Sequence, residues 1–349
     1  MHHARGRAEP LPRLGRGGPI GGCRAGHGLL LNLRALFRAE LRRLVPEDGP
    51  VGLAVSGGGD SVALMHLAAL EGVPARAATV DHGLRRSSAA EARAVGAAAA
   101  ALGLAHATLR WADPPRDAGQ GPARAARLRL LRGWARREGL SAVLTGHTLD
   151  DQAETVLMAL RGGGVDALSA MPDTSPCGLF RRPLLGTPRE ALRSWLRAAG
   201  IPWVEDPAND DPRHARTHAR RALAGMPLGT AAALARVAAL AAERRSLEEA
   251  EAARRLEGAG CDGGLAAAPL LGLPTPIRRR AWRLALTREG RAPRGRDVAA
   301  LDRAMLAGAA ARTLNGIVIR RRGPLLTLVP EVVGRGAGGD DPSSEGFAR

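Results

Sequence analysis

Between about residue 33 and residue 220, short apolar runs alternate with longer stretches whose apolar positions recur at helical spacing. That alternation is the pattern of an α/β fold with a doubly wound parallel sheet. The runs predict strands at 51–55, 76–80, 107–111 and 142–145, and the stretches between them predict helices at 61–70, 89–102, 122–137 and 150–160. Gly or Pro follows each helix within a few residues and stops it, and the Pro- and Gly-rich stretch 112–122 reads as a loop. After Arg221 the chain turns to Ala, Leu, Arg and Glu, and 230–256 carries apolar residues at helical spacing with mixed charge opposite. Two further helical patterns, at 276–287 and 296–306, precede a hairpin of 317–321 and 325–329 around Arg322-Gly323-Pro324. The expected organisation is a disordered basic extension over 1–32, a catalytic α/β domain over 33–220, a smaller, mainly helical domain over 221–333 ending in the hairpin, and a disordered tail over 334–349.

Composition narrows the chemistry. The 349 residues are 45% hydrophobic, enough for two packed cores, and no apolar run reaches the roughly 20 residues that span a bilayer. Three cysteines, Cys23, Cys177 and Cys261, are odd in number and far apart, so neither a disulfide framework nor a C-x-x-C site is expected, and a reducing cytoplasm is. The net charge of +17 rests entirely on arginine, because the chain has no lysine. Chemistry that needs a protein lysine is thereby excluded: a Walker-type P-loop, a pyridoxal Schiff base, a lysyl-nucleotide intermediate. The positive excess points to a polyanion such as RNA, and a GC-rich genome that writes Arg for Lys accounts for it equally well.

The strand at 51–55 runs into Ser56, Gly57, Gly58, Gly59, Asp60 and Ser61, and Val62 onward begins a helix. Glycines let a ligand approach the backbone, and a helix start offers unpaired N–H groups, so this strand–turn–helix suits phosphate. Asp60 fits an anion site only if it holds Mg²⁺ bridging the phosphates. A plain tight turn capped by Asp60 or Ser61 is the bland alternative, but it does not require three consecutive glycines.

The S-G-G-x-D-S string resembles the PP-loop of the N-type ATP pyrophosphatases. Further segments resemble the tRNA(Ile)-lysidine synthetase family in particular: Asp81-His82-Gly83-Leu84-Arg85 with Ser87 and Glu91, Ala123-Arg124-Ala125-Ala126-Arg127, His147-Thr148-Leu149-Asp150-Asp151-Gln152-Ala153-Glu154-Thr155, Arg161-Gly162-Gly163-Gly164, Met171, Arg182-Pro183-Leu184-Leu185, and Trp203-Val204-Glu205-Asp206-Pro207-Ala208-Asn209. Departures fall at Ala167 and Ala170, where the family often has Gly, and at Arg216-Thr217-His218-Ala219-Arg220, where it has R-N-R-x-R. The resemblance implies a ligase that adenylates the wobble cytidine of the tRNA(Ile) with a CAU anticodon, and then joins free L-lysine to it, releasing pyrophosphate and AMP. It implies ATP and Mg²⁺ as cofactors, with Ser56–Ser61, Asp81 and His82 on the nucleotide and Asp60 on the metal. Arg124, Arg127, Arg216 and Arg220 are the expected tRNA contacts. A homodimer is compatible with the sequence, and no membrane contact is expected.

Asp150, Asp151 and Glu154 sit three and four apart, so a helix clusters them. Their mutual repulsion calls for a cation, either Mg²⁺ on ATP or the lysine ammonium, unless Thr148 caps the helix and the acids merely complement its dipole. With His147, these acids are the candidates for the base that frees the amine. Two rival functions remain open: a PP-loop tRNA thiolase, whose usual paired C-x-x-C motifs are missing here, and a non-catalytic basic RNA-binding protein, which leaves the loop and the acids without purpose. The clusters Arg278-Arg279-Arg280 and Arg320-Arg321-Arg322 are expected to contact RNA phosphates.

Overall fold

The computed structural model describes residues 23–45, 49–83, 88–112, 115, 120–205, 215–290, 293 and 295–331. The chain divides into two compact units, Met1–Leu240 and Ala241–Arg349. No helix among the described residues is long and apolar enough to cross a membrane.

The first unit is built on five parallel strands, β1 (Val51–Ala54), β2 (Ala75–Asp81), β3 (Ala105–Arg110), β4 (Ala142–Thr145) and β5 (Phe180–Arg181), in the order β3-β2-β1-β4-β5. Parallel strands need long crossovers. Here α2 (Gly59–Leu70), α3 (Ser88–Ala101), α4 (Gln120–Arg137) and α5 (Leu149–Leu160) supply them. Strand period 2 serves both faces. Val51, Leu53, Val55, Ala142 and Leu144 join Leu64, Leu192 and Trp195 in one core, whereas Ala54, Ala78 and Val143 meet Leu131 and Trp134 of α4 in another. The order reverses between β1 and β4, which opens a crevice at their carboxyl ends, the usual ligand position in open α/β sheets.

In the first unit, three helices go beyond the sequence reading. Helix α1 (Cys23–Leu44) begins inside the stretch expected to be disordered, residues 1–22 of which lie outside the described residues. Leu33, Phe37 and Leu44 fall on one face of α1 and are buried, and Arg34 and Arg38 both bond Glu71 at 2.6 Å. Helix α6 (Arg189–Ala198) buries Leu192, Trp195 and Leu196, and α7 (Ala215–Ala224) buries Thr217 and Ala219. The unit division falls within α8 (Thr230–Gly258), not at residue 221.

In the second unit the expected hairpin, β9 (Ile317–Arg322) and β10 (Leu325–Pro330), is the middle of an antiparallel five-stranded sheet. Its neighbours are β6 (Gly260–Cys261), β7 (Gly264–Ala266) and β8 (Ala311–Leu314), in the order β6-β7-β10-β9-β8. Asn315 and Gly316, at φ 51° and 74°, make the two-residue turn between β8 and β9 that left-handed residues favour. Helices α9 (Ala267–Leu271), α10 (Thr275–Arg288) and α11 (Gly295–Leu306) complete the unit.

The expectation for Arg278-Arg279-Arg280 is corrected here. Arg278 and Arg280 are buried. Arg278 donates to both oxygens of Asp302, at 2.6 and 3.2 Å, and Trp282 Nε1 donates to the same carboxylate at 3.2 Å. Arg280 pairs with Glu248 at 2.8 Å. Removing one partner of a buried ion pair strands the other, so these residues hold the unit together. Arg320, Arg321 and Arg322 are exposed. Asp302→Ala is expected to cost about 3–5 kcal/mol in denaturant unfolding of the full chain. A loss below about 1 kcal/mol would mean that Asp302 is solvated and the arginines free.

Candidate active site

The loop after β1 closes on itself through Ser61. Its Oγ donates to the Gly58 carbonyl at 2.9 Å and accepts the Ser56 amide at 3.1 Å, while Ser56 stays exposed. Gly57 sits at φ +89°, a conformation that L side chains resist. Gly58 is the N-cap of α2, so the first N–H groups of that helix point out of the crevice floor. Gly146 follows β4, and a Cβ there would lie 2.8 Å from the Asp60 carbonyl oxygen. A glycine at that point lets the end of β4 press against the start of α2.

A cavity of about 250 Å³ opens over this loop, lined by Ser56, Gly58, Gly59, Asp60, Ser61, His147 and Asp151, and by Arg127, Arg189, Arg193, Arg216 and Arg220. Beside it lies a cavity of about 350 Å³ whose lining includes Ala54, Ala78, Val80, His82, Glu91 and Arg127. The segment Trp203-Val204-Glu205 borders the loop, with the Val204 amide donating to the Gly57 carbonyl at 2.9 Å. Residues 206–209 and 84–87, which carry other matched positions, lie outside the described residues.

The acidic cluster is held differently from expectation. Thr148 does cap α5: its backbone N–H donates to Asp151 Oδ2 at 2.7 Å, a capping box. Glu154 is fully buried, and its oxygens accept from Arg189 at 3.0 Å, Arg216 at 2.7 Å and Arg220 at 3.0 Å. Asp151 Oδ1 accepts from Arg189 at 2.8 Å and Arg216 at 2.9 Å. Asp150 accepts the backbone N–H of Arg189, at the start of α6, at 2.7 Å. Three guanidiniums face these carboxylates, and Arg216 and Arg220 reach the cavity already paired. Arg189 is the member of this set that no sequence motif marks.

Electrostatics follow from burial and these partners. Burial raises Asp151, but Arg189, Arg216 and the Thr148 amide outweigh it and hold the carboxyl below its ordinary range. Burial pushes Asp60 up, with Arg189 Nε at 3.1 Å from Oδ2 opposing, and Asp60 Oδ1 is buried without a hydrogen-bond partner. His147, whose Nδ1 lies 2.9 Å from Thr145 Oγ1, is pushed down to about 3, chiefly by burial, with Arg127, Arg182 and Arg216 adding to it and Asp151 opposing. Asp81 does not line these cavities. Its Oδ1 accepts from the Gly83 amide at 2.9 Å and Ser88 Oγ at 2.6 Å, which ties β2 to α3, and Asp81 lies below its ordinary range. Gln152 anchors Met171 through two bonds of 2.8 and 2.9 Å.

The model of the PP-loop domain matches residues 33–226. The chain is 43% identical to the tRNA(Ile)-lysidine synthase of Methylobacterium sp. (strain 4-46), over 83% of its own length and 93% of that relative. It belongs to the tRNA(Ile)-lysidine synthase family. The enzyme of that name from Ruegeria pomeroyi is 50% identical over 62% of this chain, and that from Thermus thermophilus is 41% identical over 84% of it. The chain spans only 53% and 59% of those two relatives. Among solved structures, the U34-tRNA thiolase NcsA from Methanococcus maripaludis superposes with a TM-score of 0.53 at 17% identity, covering 62% of this chain and 80% of that one. That likeness concerns the fold alone.

Within this lysidine synthase family member, two outcomes test the electrostatics. His147 is expected to show no imidazole titration by NMR between about pH 5 and 8. Because its folded pKa lies below the unfolded value, the unfolded chain binds the extra proton. The His147 contribution to stability therefore falls as pH drops from about 6.5 towards about 3. A midpoint near 6.5 would contradict the buried placement. Glu154→Ala is expected to destabilise the chain by about 3–5 kcal/mol, since it leaves three guanidiniums facing one another, whereas unchanged unfolding would mean they are solvated.

Proposed function

We propose that this chain is an ATP-dependent tRNA(Ile)-lysidine synthase, a carbon–nitrogen ligase acting on the wobble cytidine of a CAU anticodon. The observation that carries this reading is the self-closed glycine loop at the carboxyl end of β1, facing a cationic crevice, in a chain of this family. ATP is the first substrate. Its polyphosphate fits the N–H groups at the start of α2, beside Arg127 and Arg193, and the larger cavity at the carboxyl ends of β1 and β2 suits the nucleoside.

The cytosine O2 attacks the α-phosphorus, an O–P bond forms, and the bond to the β-phosphate oxygen breaks to release pyrophosphate. C2 then becomes electrophilic. The neutral ε-amine of lysine bonds to C2, the C2–O bond breaks, and the oxygen leaves with AMP. Arginines around the crevice stabilise the negative charge that builds on the departing pyrophosphate. Asp60 Oδ1, buried without a hydrogen-bond partner among the described residues, is an oxygen that would suit Mg²⁺. Among the described residues no group of three or more acidic, His or Cys side chains is arranged to hold a metal. Asp60 would therefore hold Mg²⁺ together with the phosphates, as is usual for this ion, and the metal would neutralise charge on the leaving group.

In this reading Asp150 already accepts the Arg189 amide, and Asp151, Glu154 and His147 are poor candidates for the base that frees the amine. The two carboxylates are saturated by arginine, and His147 is too weak a base at neutral pH. The amine proton passes to solvent or to a phosphate oxygen of the departing AMP.

Incubation with ATP, labelled lysine and total tRNA, followed by nucleoside analysis, tests the reading, and unlabelled nucleosides with no tRNA-dependent pyrophosphate would reject it. Asp60→Asn is expected to lower pyrophosphate release by roughly 100-fold or more while tRNA binding stays nearly unchanged. Equal loss of both would refute a role for Asp60 confined to ATP.

A further inference from the structure

A strap of three residues, 203–205, lies against the glycine loop from far along the chain, and its contacts form a connected set. The Val204 amide donates to the Gly57 carbonyl at 2.9 Å. A Cβ built on Gly59 would lie 3.3 Å from Trp203 Cδ1 and 3.4 Å from its Nε1, so the indole stands against the first residue of α2. That indole donates through Nε1 to Glu205 Oε1 at 2.8 Å. Glu205 in turn is held by Arg193 of α6, whose Nη1 and Nη2 lie 3.2 and 3.3 Å from its two oxygens. Arg193 is one turn beyond Arg189, which bonds Asp60. One helix therefore fixes the loop at Asp60 and the strap at Glu205.

Gly57 and Gly58 share a peptide whose orientation the strap sets. A trans peptide points its carbonyl and its N–H in opposite directions. With the carbonyl tied to Val204, the Gly58 N–H has a fixed direction, and Gly58 lines both cavities at the loop. Glycines on either side make the reverse orientation cheap, and Gly57 already sits at φ +89°. A flipped peptide would exchange donor for acceptor in the wall of an anion site. Packing alone does not hold the strap down, because an apolar cavity of about 450 Å³ adjoins it, lined by Val62, Met65, Val95, Trp203 and Val204.

The Glu205 side chain is 61% exposed and lines the same cavity as Arg127 and Arg193. A carboxylate there repels polyphosphate and occupies one of the guanidiniums that would attract it. Its place in an anion site is explained by what it holds, the indole on one side and Arg193 on the other.

We propose that Trp203 and Glu205 are positioning residues for the glycine loop: Arg193 holds Glu205, Glu205 holds the indole, and the Val204 amide keeps the Gly57–Gly58 peptide in its phosphate-accepting orientation. The assignment rests on the reading of the loop as the ATP site. The strap acts through the loop and not by contact with substrate.

The test uses the full chain and the variants Glu205→Ala, Trp203→Ala, Trp203→Phe, Val204→Pro and Val204→Ala. ATP binding without tRNA is measured by calorimetry, and tRNA-dependent pyrophosphate release is followed at varied ATP, lysine and tRNA. Glu205→Ala separates two roles by sign. Loss of a negative charge beside the polyphosphate tightens ATP binding if the side chain acts through its charge alone, whereas loss of the strap's anchor weakens it. The expected result is ATP affinity about 10-fold weaker in Glu205→Ala and in Trp203→Ala, with the KM for lysine and for tRNA unchanged. Trp203→Phe, which keeps an aromatic ring against Gly59 but no N–H, is expected to recover part of the loss. Val204→Pro, which deletes the amide, is expected to weaken ATP binding more than Val204→Ala, which keeps it. Tighter or unchanged ATP binding in Glu205→Ala would overturn the assignment, as would a raised lysine KM, tRNA affinity falling together with ATP affinity, or equal effects of the two Val204 variants. Glu205 is exposed, so its variant tests the proposal even if Trp203→Ala fails to fold. Wild type that binds no ATP and releases no pyrophosphate with any tRNA would instead reject the underlying reading of the loop.

Discussion

The arrangement of the crevice depends on one buried charge. Glu154 is fully withdrawn from solvent, and an isolated carboxylate in that position would be neutralised or would unfold its surroundings. It stays where it is because α6 brings Arg189 and α7 brings Arg216 and Arg220 onto its two oxygens. The same contacts fix those helices. Arg216 and Arg220 are one turn apart on α7, so a single acceptor fixes both the position and the rotation of that helix against α5.

Arg189 extends this lattice to the loop. Its Nε meets Asp60 and its other nitrogens meet Glu154 and Asp151, so the carboxylate of the glycine loop is linked by one side chain to the buried hub. Backbone sterics complete the connection at Gly146, where only a residue without Cβ lets β4 reach the Asp60 carbonyl. The crevice at the reversal of strand order is thus closed from two sides, by ionic contacts and by close packing. Rigid support of this kind is what keeps donors aimed at a reacting group without reorganisation.

What the sequence makes legible follows from where local signals suffice. Strand β4 lies at 142–145 as expected, because an uninterrupted apolar run ends at a glycine. The loop at Ser56–Ser61 is a local feature, and its residues are contiguous in the chain. Edge strand β8 carries little burial pattern, so only the Asn315-Gly316 turn marks it. Helix α6 has a readable stripe in Leu192, Trp195 and Leu196. Arg189 has none: in a chain with 51 basic residues, one arginine differs from the rest only by its neighbours in space. The converse holds at Arg278 and Arg280, which look like a surface cluster in sequence and are buried against Asp302 and Glu248.

A net charge of +17 therefore says little by itself about where an anion binds, since many arginines are used against internal acids. The informative cations are those the fold does not pair directly with a carboxylate, such as Arg127, which has no ion-pair partner among the described residues. The absence of lysine sharpens this division. A guanidinium is planar and forked, so Arg189 meets three carboxylates at once through Nε and both terminal nitrogens, where a point-like ammonium would have to choose among them. An all-arginine chain can build its acid lattice from few side chains and still leave others to face phosphate. Whatever compositional pressure removed lysine, the planar fork is the property on which this crevice depends.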